Sequence, residues 1–145
     1  MRYRQKSGQR GRSCRGAAAT ELAIILPVLI LLVLGCVDFG RFAYSYIAVT
    51  NAARAGAGFG SNNIYTTNSY TTWQTLVKQA VTNEMGSISG YSSSNVTVTG
   101  VPNTGSTNPW RVEVTVPCTF KTVVSWPGIP TSMTVQQKVV MRGVY

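Results

Sequence analysis

Side chains able to do chemistry are few in this chain, and they are scattered. The 145 residues include no histidine, three cysteines (Cys14, Cys36, Cys118) and four carboxylates (Glu21, Asp38, Glu84, Glu113). Without histidine the chain lacks the one side chain that titrates near neutrality unaided. Four carboxylates leave little for acid–base or metal chemistry, and none falls at a metal-ligand spacing. Glu84 and Glu113 read as solvated surface charges. Cys118, with no histidine to take its proton, is a poor nucleophile. No Gly-rich phosphate loop sits beside a βαβ pattern. The expectation is a chain that is not an enzyme, with no catalytic residues, no metal ligands and no cofactor. Glu21 stands apart, because it lies inside the apolar stretch of the sequence.

The charge distribution explains what surrounds it. The chain carries 13 Lys and Arg against the four acids, a formal net charge of +9. Six of the cations fall in residues 1–15 (MRYRQKSGQRGRSCR), where there is no acid. Residues 17–60 are neutral, Arg41 and Arg54 balancing Glu21 and Asp38, and residues 61–145 carry +3. A basic arm with a single aromatic (Tyr3) that runs straight into a hydrophobic segment sets membrane orientation rather than gripping nucleic acid. No nucleic-acid partner is expected.

Residues 22–37 (LAIILPVLILLVLGCV) carry no charge, and residues 17–37 carry only Glu21. As a helix, 21 residues rise about 31 Å, close to the ~30 Å hydrocarbon core of a bilayer. The lipid bilayer is therefore an expected partner. The positive-inside rule places the N-terminus in the cytoplasm and the remainder outside, a single-pass inner-membrane topology. Phe39, Phe42, Tyr44 and Tyr46 follow where an aromatic interfacial belt belongs. A soluble core helix would need a large surrounding core, which the polar remainder cannot supply.

Three features exceed what a plain anchor requires. A carboxylate inside the span, Glu21, costs roughly 2.5–3.5 kcal/mol unless it finds a partner. Pro27 removes a helix donor and favours a kink. Helical character also continues past the membrane through AYSYIAVTNAARAGAG, where Ala48, Ala52 and Gly56, and Ala53 and Ala57, recur four apart. Such a smooth ridge lets another helix approach closely, so the extension reads as a surface for packing against copies or relatives.

Gly16, the opening Ala17-Ala18-Ala19-Thr20-Glu21, LPVLILLVLG around Pro27, VDFGRF at residues 37–42 and TNAARAGA at 50–57 together resemble the TadE-like family, pseudopilins of the tight-adherence (Flp) pilus system. A basic tail, a glycine and an apolar helix with Glu at its fifth residue is similar to the prepilin-peptidase signal of type IV pilins. Leu22 stands where the family often has Phe, and Asp38 where it often has Glu; both keep the polarity class. The resemblance implies processing after Gly16, with Ala17 as the new N-terminus beside Glu21. It implies an assembly helix that includes Pro27, Gly35, Asp38, Gly40, Arg41, Asn51, Ala52, Arg54 and Gly56. It also implies as partners a prepilin peptidase, other pilins or pseudopilins and the Tad assembly platform, and a role in pilus assembly, surface adherence or biofilm formation, with incorporation into a pilus as one outcome. The new α-ammonium at the membrane face would be a partner for Glu21 of the same or a neighbouring subunit.

Val33-Leu34-Gly35-Cys36 offers a competing signal, a loose lipobox with Cys36 as lipid acceptor; an uncleaved, signal-anchored periplasmic binding protein is the other alternative. The lipobox reading leaves residues 38–60 unexplained. Cys14 would leave with the leader, Cys36 lies in the membrane and Cys118 outside, so no intramolecular disulfide is expected.

Residues 61–109 contain 25 Ser, Thr or Asn in 49 positions, a loop-rich composition. Within it Trp73, Leu76, Val77, Ala80, Val81 and Met85 follow helical spacing, with Thr72 as N-cap and Gly86 as stop. Residues 95–101 alternate as a short strand. Trp110, Val112, Val114, Val116, Cys118 and Phe120 alternate as a second, in which Pro117 marks an edge or bulge. Trp126-Pro127-Gly128-Ile129-Pro130 is a turn, and Met133, Val135, Val139 and Met141 give a third strand. Trp73, Trp110 and Trp126 read as core residues before carbohydrate contacts. The expected fold is α+β and pilin-like: a basic leader (1–16), a long helix (17–58), and a head (59–145) with one helix on a roughly three-stranded antiparallel sheet.

Overall fold

A computed structural model describes residues 15–63, 65, 67–101 and 110–143. Its elements are α1 (Arg15–Asn62), a 3-10 turn (Thr67–Ser69), α2 (Tyr70–Met85), a second 3-10 turn (Ser93–Asn95), and the strands β1 (Thr97–Val101), β2 (Arg111–Lys121) and β3 (Ser132–Arg142). The sheet is antiparallel in the order β1-β2-β3. The α+β class and the long helix followed by a helix and a three-stranded sheet are as the sequence indicated.

The chain divides into two compact units, up to Cys36 and from Val37 onward. In the first, the described helix is exposed along nearly its whole length, and it is long and apolar enough to cross a membrane. Pro27 lies within it, depriving the Ala23 carbonyl of its usual donor. The second unit begins inside α1, so residues 37–62 of the helix belong to that unit, and Val49, Ala52, Ala53 and Ala57 enter its core.

That core forms because β2 alternates. Val112, Val114, Val116, Cys118 and Phe120 are buried while the intervening residues are half-buried or exposed. Val77, Val81 and Met85 of α2 and Val49, Ala52, Ala53 and Ala57 of α1 complete the buried cluster. Each large apolar side chain removed from water contributes about 1.5–3 kcal/mol. A Cβ at Gly60 would lie 2.9 Å from Val112 Cγ1, and one at Gly56 would collide with Val81 Cγ2. The ridge of small residues is thus filled by the chain's own α2 and β2.

Two expectations move. α2 begins at Tyr70 rather than after Thr72, led in by the 3-10 turn at Thr67–Ser69. Its C-terminus is at Gly86, which has φ 54° and donates to the Thr82 carbonyl. Pro117 sits in the central strand, opposite Gln136 of β3. β1 ends where Thr97 pairs with Thr115, and beyond that point, among the described residues, the flank of β2 meets only an isolated bridge from Tyr91 to Cys118. The Thr119 N–H points to that flank and donates to the Gly90 carbonyl (2.9 Å). Residue 117 has the same parity, so the donor its ring lacks belongs to no ladder bond with β3.

Candidate functional site: a carboxylate latch where the apolar segment ends

Asp38 follows Val37 directly, yet it is only 6% exposed. A buried carboxylate must be surrounded by donors, and here the β2–β3 loop supplies them. The Val123 N–H donates to both oxygens (2.9 Å to Oδ1, 3.2 Å to Oδ2), the Val124 N–H to Oδ2 (3.5 Å) and the Trp126 indole N–H to Oδ2 (3.1 Å). Arg41, one turn on, approaches Oδ1 with Nη1 at 3.3 Å. The Val123 N–H holds the carboxyl below its ordinary value of 3.8; burial works against it, and the Trp126 indole, the Val124 N–H and Arg41 add to the lowering. A carboxylate engaged on both oxygens is a fixed anion. Its chemistry is to fasten α1 to a loop more than eighty residues away.

Arg41 extends the latch. Its Nη1 also donates to the Lys121 carbonyl (3.4 Å), and its guanidinium carbon lies 5.5 Å from the centre of the Phe120 ring. Phe120 in turn meets Phe42 edge-on, with ring centres 5.6 Å apart. Beside this cluster lies a groove of about 740 Å³ between α1, the end of α2 and residues 86–90, with Arg41, Tyr44, Glu84 and Lys121 on its walls.

The other residues singled out in the sequence fall into three places. Gly16, Ala17, Glu21 and Pro27 are exposed on the apolar half of α1 and Gly35 is half-buried; the Thr20 hydroxyl donates to the Ala17 carbonyl at 2.8 Å. Gly40, Arg41, Asn51 and Arg54 are exposed on the head half, together with Phe39, Tyr46 and Ile47. Asp38, Ala52 and Gly56 face inward. The site called out as one helix surface is therefore divided. Its inner face builds the head, and only its outer face is open to another molecule.

Among the described residues no group of three or more His, Cys, Asp or Glu is assembled. Cys118 is buried, its Sγ 3.8 Å from the Ser89 carbonyl, and burial pushes its thiol pKa up. Cys36 is exposed, and Cys14 lies outside the described residues. Trp73 and Trp110 join Tyr65 and Tyr70 in a four-ring cluster with centres 4.6–5.9 Å apart. Rings spaced so closely pack on one another and leave no slot for a sugar. Trp126 alone has a polar role, and its partnership with Asp38 is what the sequence reading missed. The available signal was an acid at the boundary of an apolar segment, which demands a partner.

Residues 16–58 match the family described as TadE-like protein. No curated protein matches the chain. No solved structure matches it either.

Proposed function

We propose that this chain is a pseudopilin or minor pilin of a tight-adherence (Flp/Tad) pilus system, processed after Gly16 and active in pilus assembly. The similarity of residues 16–58 to TadE-like proteins carries the reading; it spans the Gly16–Glu21 signal, the apolar helix and the Asp38–Arg41 pair. That similarity and a helix long and apolar enough to cross a membrane support the link to the Tad pilus.

The mechanism is one of assembly. The scissile bond lies in the first turn of α1, which starts at Arg15, so a membrane peptidase would take this turn unwound. Cutting removes the six cations that orient the chain and exposes an α-ammonium four residues from Glu21. Pairing between the two would offset the cost of a carboxylate in the bilayer. The outer face of α1, with Phe39, Tyr46, Ile47, Asn51 and Arg54, is the part of the head helix available to neighbouring subunits. The surroundings of the chain would be the bacterial inner membrane, with the head on the extracytoplasmic side.

Expression with and without a prepilin peptidase tests this. A mature N-terminus at Ala17 only when the peptidase is present is the expected result. Lipid on Cys36 would establish the lipoprotein reading instead, and an intact chain in both cases a simple anchored protein. Glu21→Val is expected to slow processing or assembly; normal rates of both would remove the pairing idea.

A further inference from the structure

The latch at Asp38 also fixes what lies next to the bilayer. Val37 ends the apolar segment, and its covalent neighbour is hydrogen-bonded to Val123, Val124 and Trp126. The β2–β3 loop, residues 122–131, is therefore held at the end of the head from which the chain enters the membrane. A connection in water usually carries polar residues. This one presents Val123 (61% exposed) and Ile129 (49% exposed), with Pro127, Gly128 and Pro130 also exposed around the half-buried Trp126. Among the described residues, the other large exposed apolar side chains of the head beyond α1 are Leu76 and Val140, single residues on α2 and β3. On α1, Phe39 (72%) and Tyr44 (66%), one and six residues past Asp38, are exposed. Arg41 and Lys121 stand beside the loop, tied by the bond from the Arg41 guanidinium to the Lys121 carbonyl. An apolar tip, a Trp and aromatic neighbours, and cations behind them are the composition of a contact with the interfacial layer of a bilayer.

We propose that residues 122–131 form a second membrane contact beside the exit of α1, with Val123 and Ile129 at the acyl boundary and Arg41 and Lys121 against the phosphates of anionic phospholipids. The proposal rests on residues 17–37 spanning the bilayer. With Asp38 bonded to the loop, the head is attached at two adjacent points, and the latch keeps the loop on the membrane side.

The full chain, with Cys14→Ser and Cys36→Ala and its buried Cys118 retained, would carry one added cysteine in each of three versions: Ile129→Cys, Val140→Cys and Leu31→Cys. Each is labelled with an environment-sensitive fluorophore and reconstituted into phosphatidylcholine vesicles containing phosphatidylglycerol. The label at 129 is expected to lose most of its intensity to lipids spin-labelled near the headgroup and to be shielded from aqueous iodide. The label at 140 is expected to behave in the opposite way, and the label at 31 to be quenched by lipids spin-labelled deep in the chain. Equal iodide quenching at 129 and 140, with 31 still quenched from the acyl core, would overturn the proposal while the span stands; the loop would then be a surface for a protein partner. Loss of deep quenching at 31 would remove the span and the proposal with it. In vesicles of phosphatidylcholine alone, quenching at 129 is expected to weaken, and unchanged quenching would remove the part assigned to Arg41 and Lys121.

Discussion

Asp38 stands where a chain leaving a membrane would ordinarily hold a solvated charge, and the head has closed around it. Three donors from one loop and a guanidinium from the next helical turn converge on its two oxygens. The consequence for stability has a definite sign. The folded carboxyl titrates below 3.8, so the latch contributes fully above the unfolded value and is lost as pH falls through the folded one. Trp126 emission is expected to shift to the red on acidification below about pH 4, as the indole leaves its acceptor. Asp38→Asn keeps the shape but replaces one acceptor oxygen by a donor facing the loop N–H groups. It is expected to lower the melting temperature and abolish that acid transition. An unchanged transition in the variant would mean that the Asp38 carboxylate does not cause it. The partners were not legible in the sequence, since Asp38 and the loop donors are separated by 85–88 positions and no periodicity connects them. The need for a partner was legible; its address was not.

At the scale of elements, the sequence read well wherever one face of one element decided the outcome. The spacing from Trp73 to Met85 gave α2, and the alternation from Val112 to Phe120 gave β2, because burial of a single stripe dictates both patterns. It read less well where two elements share a surface. Ala52 and Gly56 announce a close approach without saying whose, and α2 and β2 make that approach. The starting point of α2 shifted for a similar reason: Tyr70 stacks its ring on Trp73 one turn on, and its hydroxyl accepts from the Gly100 N–H of β1. Gly56→Leu separates the two roles of the ridge. A side chain there must displace Val81 and Val114, and overpacking of this kind typically costs about 1–3 kcal/mol. Thermal unfolding of the full chain in detergent is expected to show that loss, with earlier alkylation of the buried Cys118. A variant as stable as the parent would mean that the inner face of α1 is not packed against α2 and β2. Asn51→Leu, on the outer face, is expected to leave stability within about 0.5 kcal/mol and to act on assembly alone.

For the molecule as a whole, the two edges of the sheet are treated differently, and the membrane attachment proposed above would supply what the fold leaves undone. On β1 the outward groups are taken by α2, Gln74 donating to the Val98 carbonyl and the Tyr70 hydroxyl accepting from the Gly100 N–H. On β3 the bonds from Thr122 to Thr131 and from Gly143 to Trp110 set the parity. Odd residues bond to β2, and Ser132, Thr134, Gln136, Lys138, Val140 and Arg142 turn their backbone groups outward. Among the described residues nothing pairs with them, and eleven unbroken positions without proline are a template for another strand. Lys138, bonded to Glu113 at 2.6 Å, is the charge in the middle of that edge. Two copies could pair antiparallel about Gln137, setting Gln136 opposite Lys138 and Val135 opposite Val139. Such pairing sends the two Val37 residues to opposite ends of the joined sheet, because Asp38 lies at the Lys121 end of β2 and Gly60 at the Val112 end. Under the proposed attachment, copies anchored in one bilayer from the same side would have to turn one head over to meet in this way. Lys138→Val should therefore be benign in vesicles and harmful in detergent. Its effect on folding is expected to stay within about 1 kcal/mol, the usual limit for an exposed ion pair, while light scattering in micelles rises. Gln137→Cys, introduced with Cys14→Ser and Cys36→Ala, reads the register directly: an intermolecular disulfide should form in micelles and be absent in vesicles. Equal cross-linking in both would mean that antiparallel copies meet in the membrane, and the shared anchor would then not be what protects the β3 edge.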